Sequence, residues 1–171
     1  MELQIDSREK KKELARIKKQ FDGLGVDYFI SKLYVGDYMS LDNPRLVIDR
    51  KKDLQEICGN LTQQHERFRD ELMRAKEHGI KIIVLCEHGH GIKDLDDVIF
   101  WDNPRLKQGE WKMVDGHPQK VQKYPKATTG IQLYKAMCTI EERYGVEWRF
   151  CDPRHTGAEI IKLLGGGDGD G

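Results

Sequence analysis

The sequence predicts an α/β domain in which a mixed central sheet is covered by helices. Short segments of alternating or continuous apolar residues are separated by stretches of helical spacing, and glycines at 23, 25, 79 and 145 close those stretches. The resulting order is strand, helix, two or three strands, helices, strand, helix, strand, helix. A chain of 171 residues fits one domain of this kind, since it buries roughly two thirds of the surface that its unfolded form exposes. The domain is expected to run over 1–164, with an irregular insertion at 88–127 and a disordered Gly/Asp tail at 165–171 that has nothing to bury.

Leu3 and Ile5 alternate with polar neighbours and predict a first strand ending near Asp6, after which Ser7 is placed to cap a helix. Leu14, Ile17 and Phe21 recur along that helix at spacings of three and four, while Lys10, Lys11, Lys12, Arg16, Lys18 and Lys19 cover much of the rest. Residues 27–35 and 45–49 are rich in aromatic and β-branched types and flank the turn-forming Asp42-Asn43-Pro44, so they predict a β-hairpin or meander. Helices follow at 52–61 and 64–78, the second with Phe68, Leu72 and Ala75 on one face. Residues 80–86 are nearly all apolar, as in a strand covered on both sides. Order returns with a helix at 130–144 carrying Leu133, Met137, Ile140 and Tyr144, then a strand in which Val146, Trp148 and Phe150 alternate with polar partners. Thr156 and Glu159 have capping-box spacing ahead of a last apolar helix.

Apolar residues make up 38% and charged residues 34% of the chain, which suits a folded soluble core. No apolar run reaches the roughly 20 residues that cross a bilayer, and the N-terminus lacks a signal-peptide pattern, so a cytoplasmic protein without membrane association is expected. Cys58, Cys86, Cys138 and Cys151 form no CxxC pair and read as small packed thiols. The net charge is zero, but residues 8–20 hold seven Lys or Arg against two Glu, and residues 105–126 hold six against two acids. Such local bias permits a polyanionic partner without requiring one.

The chemistry concentrates between Gly36 and Lys51, where Gly36-Asp37-Tyr38 is followed by Asp49-Arg50-Lys51. If the two segments are neighbouring strands, Asp37 and Asp49 converge, and a period of two puts Lys51 on the same face as Asp49. Two carboxylates hold a hard divalent cation through oxygen, and a lysine beside them orients water or balances charge on a phosphate. A D-x(11)-D-x-K pattern alone is common in so charged a chain. Here Asp49 follows directly on Val47 and Ile48, where an unpartnered carboxylate is costly, and Asp6 and Glu9 bring further acids to the end of the first strand.

Asp6-Ser7-Arg8-Glu9, Gly36-Asp37-Tyr38 and Asp49-Arg50-Lys51, followed by Glu56-Ile57 and the Arg67-Phe68-Arg69 helix, resemble the nuclease domain of the XPF-type structure-specific DNA endonucleases, and most of all its small phage-type members. The resemblance covers about three quarters of the chain, with 88–127 outside it. It implies a restriction-endonuclease-like fold and Mg²⁺- or Mn²⁺-dependent cutting of DNA at flaps, forks or other junctions. Carried over, Asp37 and Asp49 ligate metal, Asp6 and Glu9 complete the acidic pocket, Lys51 assists the attacking water, and Arg50 and Arg8 contact phosphate or brace the site. Lys11, Lys12, Arg67 and Arg69 are further candidates for contact with the DNA backbone. Asp49 stands where the family has Glu, one methylene longer, and the family's last acidic position falls between Asp53 and Glu56. The helix-hairpin-helix module of larger relatives is missing from the sequence, so DNA affinity must come from this domain, from a homodimer or from a protein partner. The alternative is a catalytically inactive relative that binds or scaffolds DNA. Glu87-His88-Gly89-His90 offers two imidazoles without a third ligand, and Trp101 and Trp111 either pack the insertion or stack on unpaired bases.

Overall fold

The computed structural model describes residues 1–89 and 91–166. Among them the chain forms β1 (Glu2–Asp6), α1 (Lys11–Leu24), β2 (Asp27–Ser31), β3 (Tyr38–Ser40), β4 (Asn43–Lys51), α2 (Leu54–Thr62), α3 (His65–Glu77), β5 (Lys81–Glu87), β6 (Gly109–Val114), β7 (His117–Gln122), α4 (Gly130–Tyr144), β8 (Glu147–Cys151) and α5 (Thr156–Leu164). Six strands make one sheet in the order β2-β1-β3-β4-β5-β8, and β6 and β7 pair separately. The sheet is mixed: β3 runs antiparallel to both β1 and β4, whereas β1–β2, β4–β5 and β5–β8 are parallel.

Both faces are covered, which explains the unbroken apolar run in β5, where Ile82 to Glu87 are all buried. Under α2, α3 and α4 lie Val47, Val84, Leu54, Ile57, Phe68, Leu72, Leu133 and Met137. On the opposite face, Leu3, Ile5, Tyr38, Ile48, Ile83 and Leu85 pack with Ile17 and Phe21 of α1 and Ile160 and Leu163 of α5. Strand alternation divides β4 between these cores, Val47 to one and Ile48 to the other. This division governs the site.

Four sequence expectations are corrected. Residues 27–31 form no hairpin with the following strands; β2 is an edge strand parallel to β1, reached through the α1 crossover, and the antiparallel pair is β3–β4. Ser7 does not cap α1, because residues 7–9 form a turn and the helix begins after an extended Lys10. Thr156 makes no capping box; its hydroxyl donates to Glu87 instead, at 2.5 Å. The 88–127 stretch is partly ordered: Asp115 (φ 51°) and Gly116 (φ 79°) make the tight turn of the β6–β7 hairpin, a two-residue Asp-Gly loop of the kind that matches strand twist. The tail expected to be disordered falls largely on residues 167–171, outside the described residues.

Candidate active site

Asp37 and Asp49 are brought together by backbone pairing. The Asp37 amide donates to the Ile48 carbonyl at 2.8 Å, and the Asp37 carbonyl accepts from the Asp6 amide at 2.8 Å, which fixes Asp37 at the mouth of β3 between β1 and β4. Gly36 precedes it with φ +72°, and a Cβ there would lie 3.1 Å from both the Ile48 carbonyl and Val47 Cγ2, so only glycine lets the chain approach β4 this closely. The Asp37 side chain then accepts from the Arg50 amide at 2.8 Å. Asp49 and Lys51 share the face under α2 and α3, with Lys51 Nζ 2.9 Å from Asp49 Oδ2 and 5.4 Å from the centre of the Phe68 ring.

These groups open into a polar cleft of about 700 Å³ at the end of β4, walled by the start of α1 and by α2 and α3. Burial and the charges of Asp49 and Glu9 push the Asp37 pKa well above its ordinary 3.8. Burial alone would lower the pKa of Lys51, but the charge and proximity of Asp49 outweigh it and the net shift is upward, so Lys51 is an ammonium. Asp49 Oδ2 is buried, with the Lys51 ammonium 2.9 Å away. Two carboxylates facing one polar cleft, one of them beside a lysine, fit a divalent cation. No group of three or more His, Cys, Asp or Glu side chains is clustered as a metal cage among the described residues. An ion held here would take two protein carboxylates and fill its remaining positions with water or phosphate oxygens, the mode typical of Mg²⁺.

The other expected site residues divide between the two faces. Asp6 is buried, accepting from Arg8 Nε at 2.6 Å and from the Leu33 amide at 2.9 Å, so it anchors the loop leading to Asp37. Arg50 points away from Asp49, onto the α1/α5 face. There it binds Glu9 through two bonds, at 2.9 and 3.1 Å, and Glu87 at 2.9 Å. The Glu9 carboxylate also accepts from the Tyr38 hydroxyl at 3.0 Å. Burial favours the neutral acid, but the hydrogen bonds and charge of Arg50 hold the Glu9 pKa below 4.5. Asp6 and Glu9 make these bracing contacts and also line the cleft beside Asp37 and Asp49. Of the expected phosphate contacts, Arg8 and Arg67 line the cleft, while Lys11, Lys12 and Arg69 are exposed elsewhere. Asp53 is committed as the cap of α2, accepting from the Glu56 amide at 2.8 Å, and Glu56 lines the cleft.

Sequence reading missed four residues. Glu87 joins Arg50, Arg16 and Thr156 in a buried ionic cluster that ties β4 and β5 to α1 and α5. Its only sequence signal was a lone acid at the end of an apolar strand. Lys10 and Arg74 add positive charge to the cleft rim, and Glu71 accepts from the Gly36 amide at 3.1 Å. Trp101 is buried and packs the insertion onto the core, and the His-x-His pair includes His90, outside the described residues.

A mixed sheet with helices on both faces, carrying two carboxylates and a lysine at the ends of adjacent strands, defines the restriction-endonuclease-like class. The sequence matches the ERCC4 domain over residues 5–164, and the chain belongs to that family, the nuclease domain of the XPF-type structure-specific endonucleases. The fold is similar to that of XPF from Aeropyrum pernix, with TM-score 0.60, 21% identity, and coverage of 96% of this chain and 63% of that one. It is equally similar to XPF from Aeropyrum pernix in complex with DNA, with TM-score 0.60, 20% identity, and coverage of 95% and 62%. The chain thus spans somewhat less than two thirds of these XPF structures. Comparison with curated proteins finds no match. No helix among the described residues is long and apolar enough to cross a membrane.

Proposed function

We propose that this domain is a divalent-metal-dependent endonuclease that cuts branched or partly single-stranded DNA, such as flaps, forks and junctions. The observation that carries this reading is the pairing of Asp37 and Asp49 across β3 and β4 beside the Lys51 ammonium, in an open polar cleft rimmed by Arg8, Lys10, Arg67 and Arg74. The rim cations draw in and align the phosphate backbone. Asp37 and Asp49 would hold Mg²⁺ or Mn²⁺, which when bound would supply charge neutralisation at the scissile phosphate and a more acidic water. Lys51, held as a cation by Asp49, orients the attacking water through its N–H groups and balances charge that develops on the phosphate oxygens. Phe68 limits the directions that the ammonium can take. Arg50 acts from behind the strand: its amide fixes the Asp37 carboxylate, and its guanidinium locks β4 to Glu9 and Glu87.

The test is a cleavage assay on labelled single-stranded, duplex, flap, fork and four-way DNA in Mg²⁺ and in Mn²⁺, with Asp49→Asn alongside. Branched DNA should be cut by the wild type and left intact by the variant, with the circular dichroism spectrum unchanged. Cutting that survives in Asp49→Asn removes the proposed ion-binding pair. Tight DNA binding without cleavage in either metal would instead favour a non-catalytic DNA-binding relative, a reading suggested by aspartate where the family carries glutamate.

A further inference from the structure

The β6–β7 hairpin takes no part in the cleft. It stands apart from the main sheet, and its outward face is unusual for a protein surface. Trp111 is 72% exposed and Met113 69% exposed. Strand alternation puts both on one face, and the register sets Trp111 opposite Lys120 and Met113 opposite Pro118. Gly109 leaves room for Lys120: a Cβ at Gly109 would lie 2.8 Å from Lys120 Cε, so the lysine stem lies across this face. On the reverse face, Glu110, Val114 and Val121 are partly covered. Just beyond β7, Arg105 and Lys123 flank the Tyr124 ring at 5.4 and 5.3 Å. Glu110 is paired with Lys112 at 2.8 Å and Asp115 sits at the turn, so Arg105, Lys120, Lys123 and Lys126 still leave this element positive.

Exposed aromatic and thioether groups set among uncompensated cations match the chemistry of single-stranded nucleic acid, whose bases stack on flat apolar groups while its phosphates attract lysine and arginine. Protein–protein interface cores share the exposed tryptophan and methionine but are depleted in lysine, so it is the lysines around this face that favour a nucleic acid. Topology supplies the last argument. The excursion carrying the hairpin leaves the sheet after β5, whose Cys86 pairs with Lys51 in the parallel register, so it departs from the sheet edge that bears the cleft.

We propose that the β6–β7 hairpin is a second DNA-contact surface, on which Trp111 and Met113 stack unpaired bases of a branched substrate while Lys120, Lys123 and Arg105 bind the adjoining phosphates. This deepens the nuclease reading and rests on it, since it assigns recognition of the unpaired arm to an element outside the catalytic cleft.

Tryptophan fluorescence gives a direct readout, because Trp101 and Trp148 are buried and Trp111 alone is exposed. In EDTA, titrating the full chain with an oligothymidylate or a forked DNA should quench emission, and a blunt duplex should quench it less. Trp111→Ala should abolish the quenching and, by fluorescence anisotropy of labelled forked DNA, weaken binding about ten-fold, while Trp111→Phe should retain most of the affinity. Unchanged affinity and a wild-type spectrum insensitive to DNA, in a protein that still cuts branched DNA, overturn the hairpin proposal and leave the nuclease reading intact. A wild type that neither binds nor cuts overturns both. Self-association abolished by Trp111→Ala, with DNA affinity unaltered, would assign the face to a second copy and overturn the proposal.

Discussion

Arg50→Met offers the sharpest test of how the site is braced. The Arg50 side chain is 4% exposed, and its two partners, Glu9 and Glu87, are 5% and 4% exposed. Removing it affects the two acids unequally. Glu87 keeps Arg16 and the Thr156 hydroxyl, whereas Glu9 is left with the Tyr38 hydroxyl and the Lys10 amide, both neutral donors at 3.0 Å. Leaving one carboxylate buried without a counter-charge costs about 3–5 kcal/mol. Urea unfolding at 25 °C and pH 7 should show the unfolding free energy falling by that amount, through a lower midpoint at unchanged slope. Arg50→Met/Glu9→Gln should recover at least about 1 kcal/mol, because the orphaned charge is gone. The pH dependence has a definite sign. Arg50 holds the Glu9 pKa below 4.5 in the folded protein. The stability Glu9 contributes is therefore present above pH 4.5 and lost as pH falls through its depressed folded-state value. The gap between wild type and Arg50→Met should close over that acidic window. A loss under about 1 kcal/mol, or a double variant no more stable than the single one, refutes the bracing role.

Two further perturbations act on the cleft itself. Because burial and Asp49 raise the Asp37 pKa above 3.8, the metal-free protein loses stability as pH rises from about 3.8 through the folded-state value; Asp37→Asn should melt higher than wild type at neutral pH in EDTA and match it near pH 3.5, and a divalent ion should raise the melting temperature of wild type only. Gly36→Ala forces a left-handed backbone on alanine and pushes its methyl toward the Ile48 carbonyl, so it should cost about 1–3 kcal/mol by thermal melting and reduce cleavage by moving Asp37.

The residues that could be found from sequence are those placed by a local period. Asp49 and Lys51 share a face because they are two apart, and their position next to Asp37 follows from an antiparallel strand pair with a short connection. The same period sends Arg50 to the other side, yet its partners could not be named, since Glu9 and Glu87 lie 41 and 37 residues away and arrive through the turn after β1 and through the parallel β4–β5 pairing. The location of β2 was hidden for the same reason: a parallel pair is set by its crossover helix, which leaves no signature in the strand itself. Thr156 misled because its capping pattern was intact, but a buried Glu87 competed for the hydroxyl and won. The β6–β7 hairpin was missed although Asp115-Gly116 is a strong two-residue loop signal, because the charge and tryptophan around it hide any strand period.

The segment between β5 and α4 departs from the sheet framework and rejoins it, so the central strands neither pass through it nor depend on its register. Doubling the length of such a detour adds only about 0.6 kcal/mol of closure entropy. The β6–β7 hairpin within it can therefore change in length or charge while Asp37, Asp49 and Lys51 stay where they are. On the proposed reading, DNA recognition by the hairpin and the chemistry of the cleft are separately adjustable properties of one small scaffold.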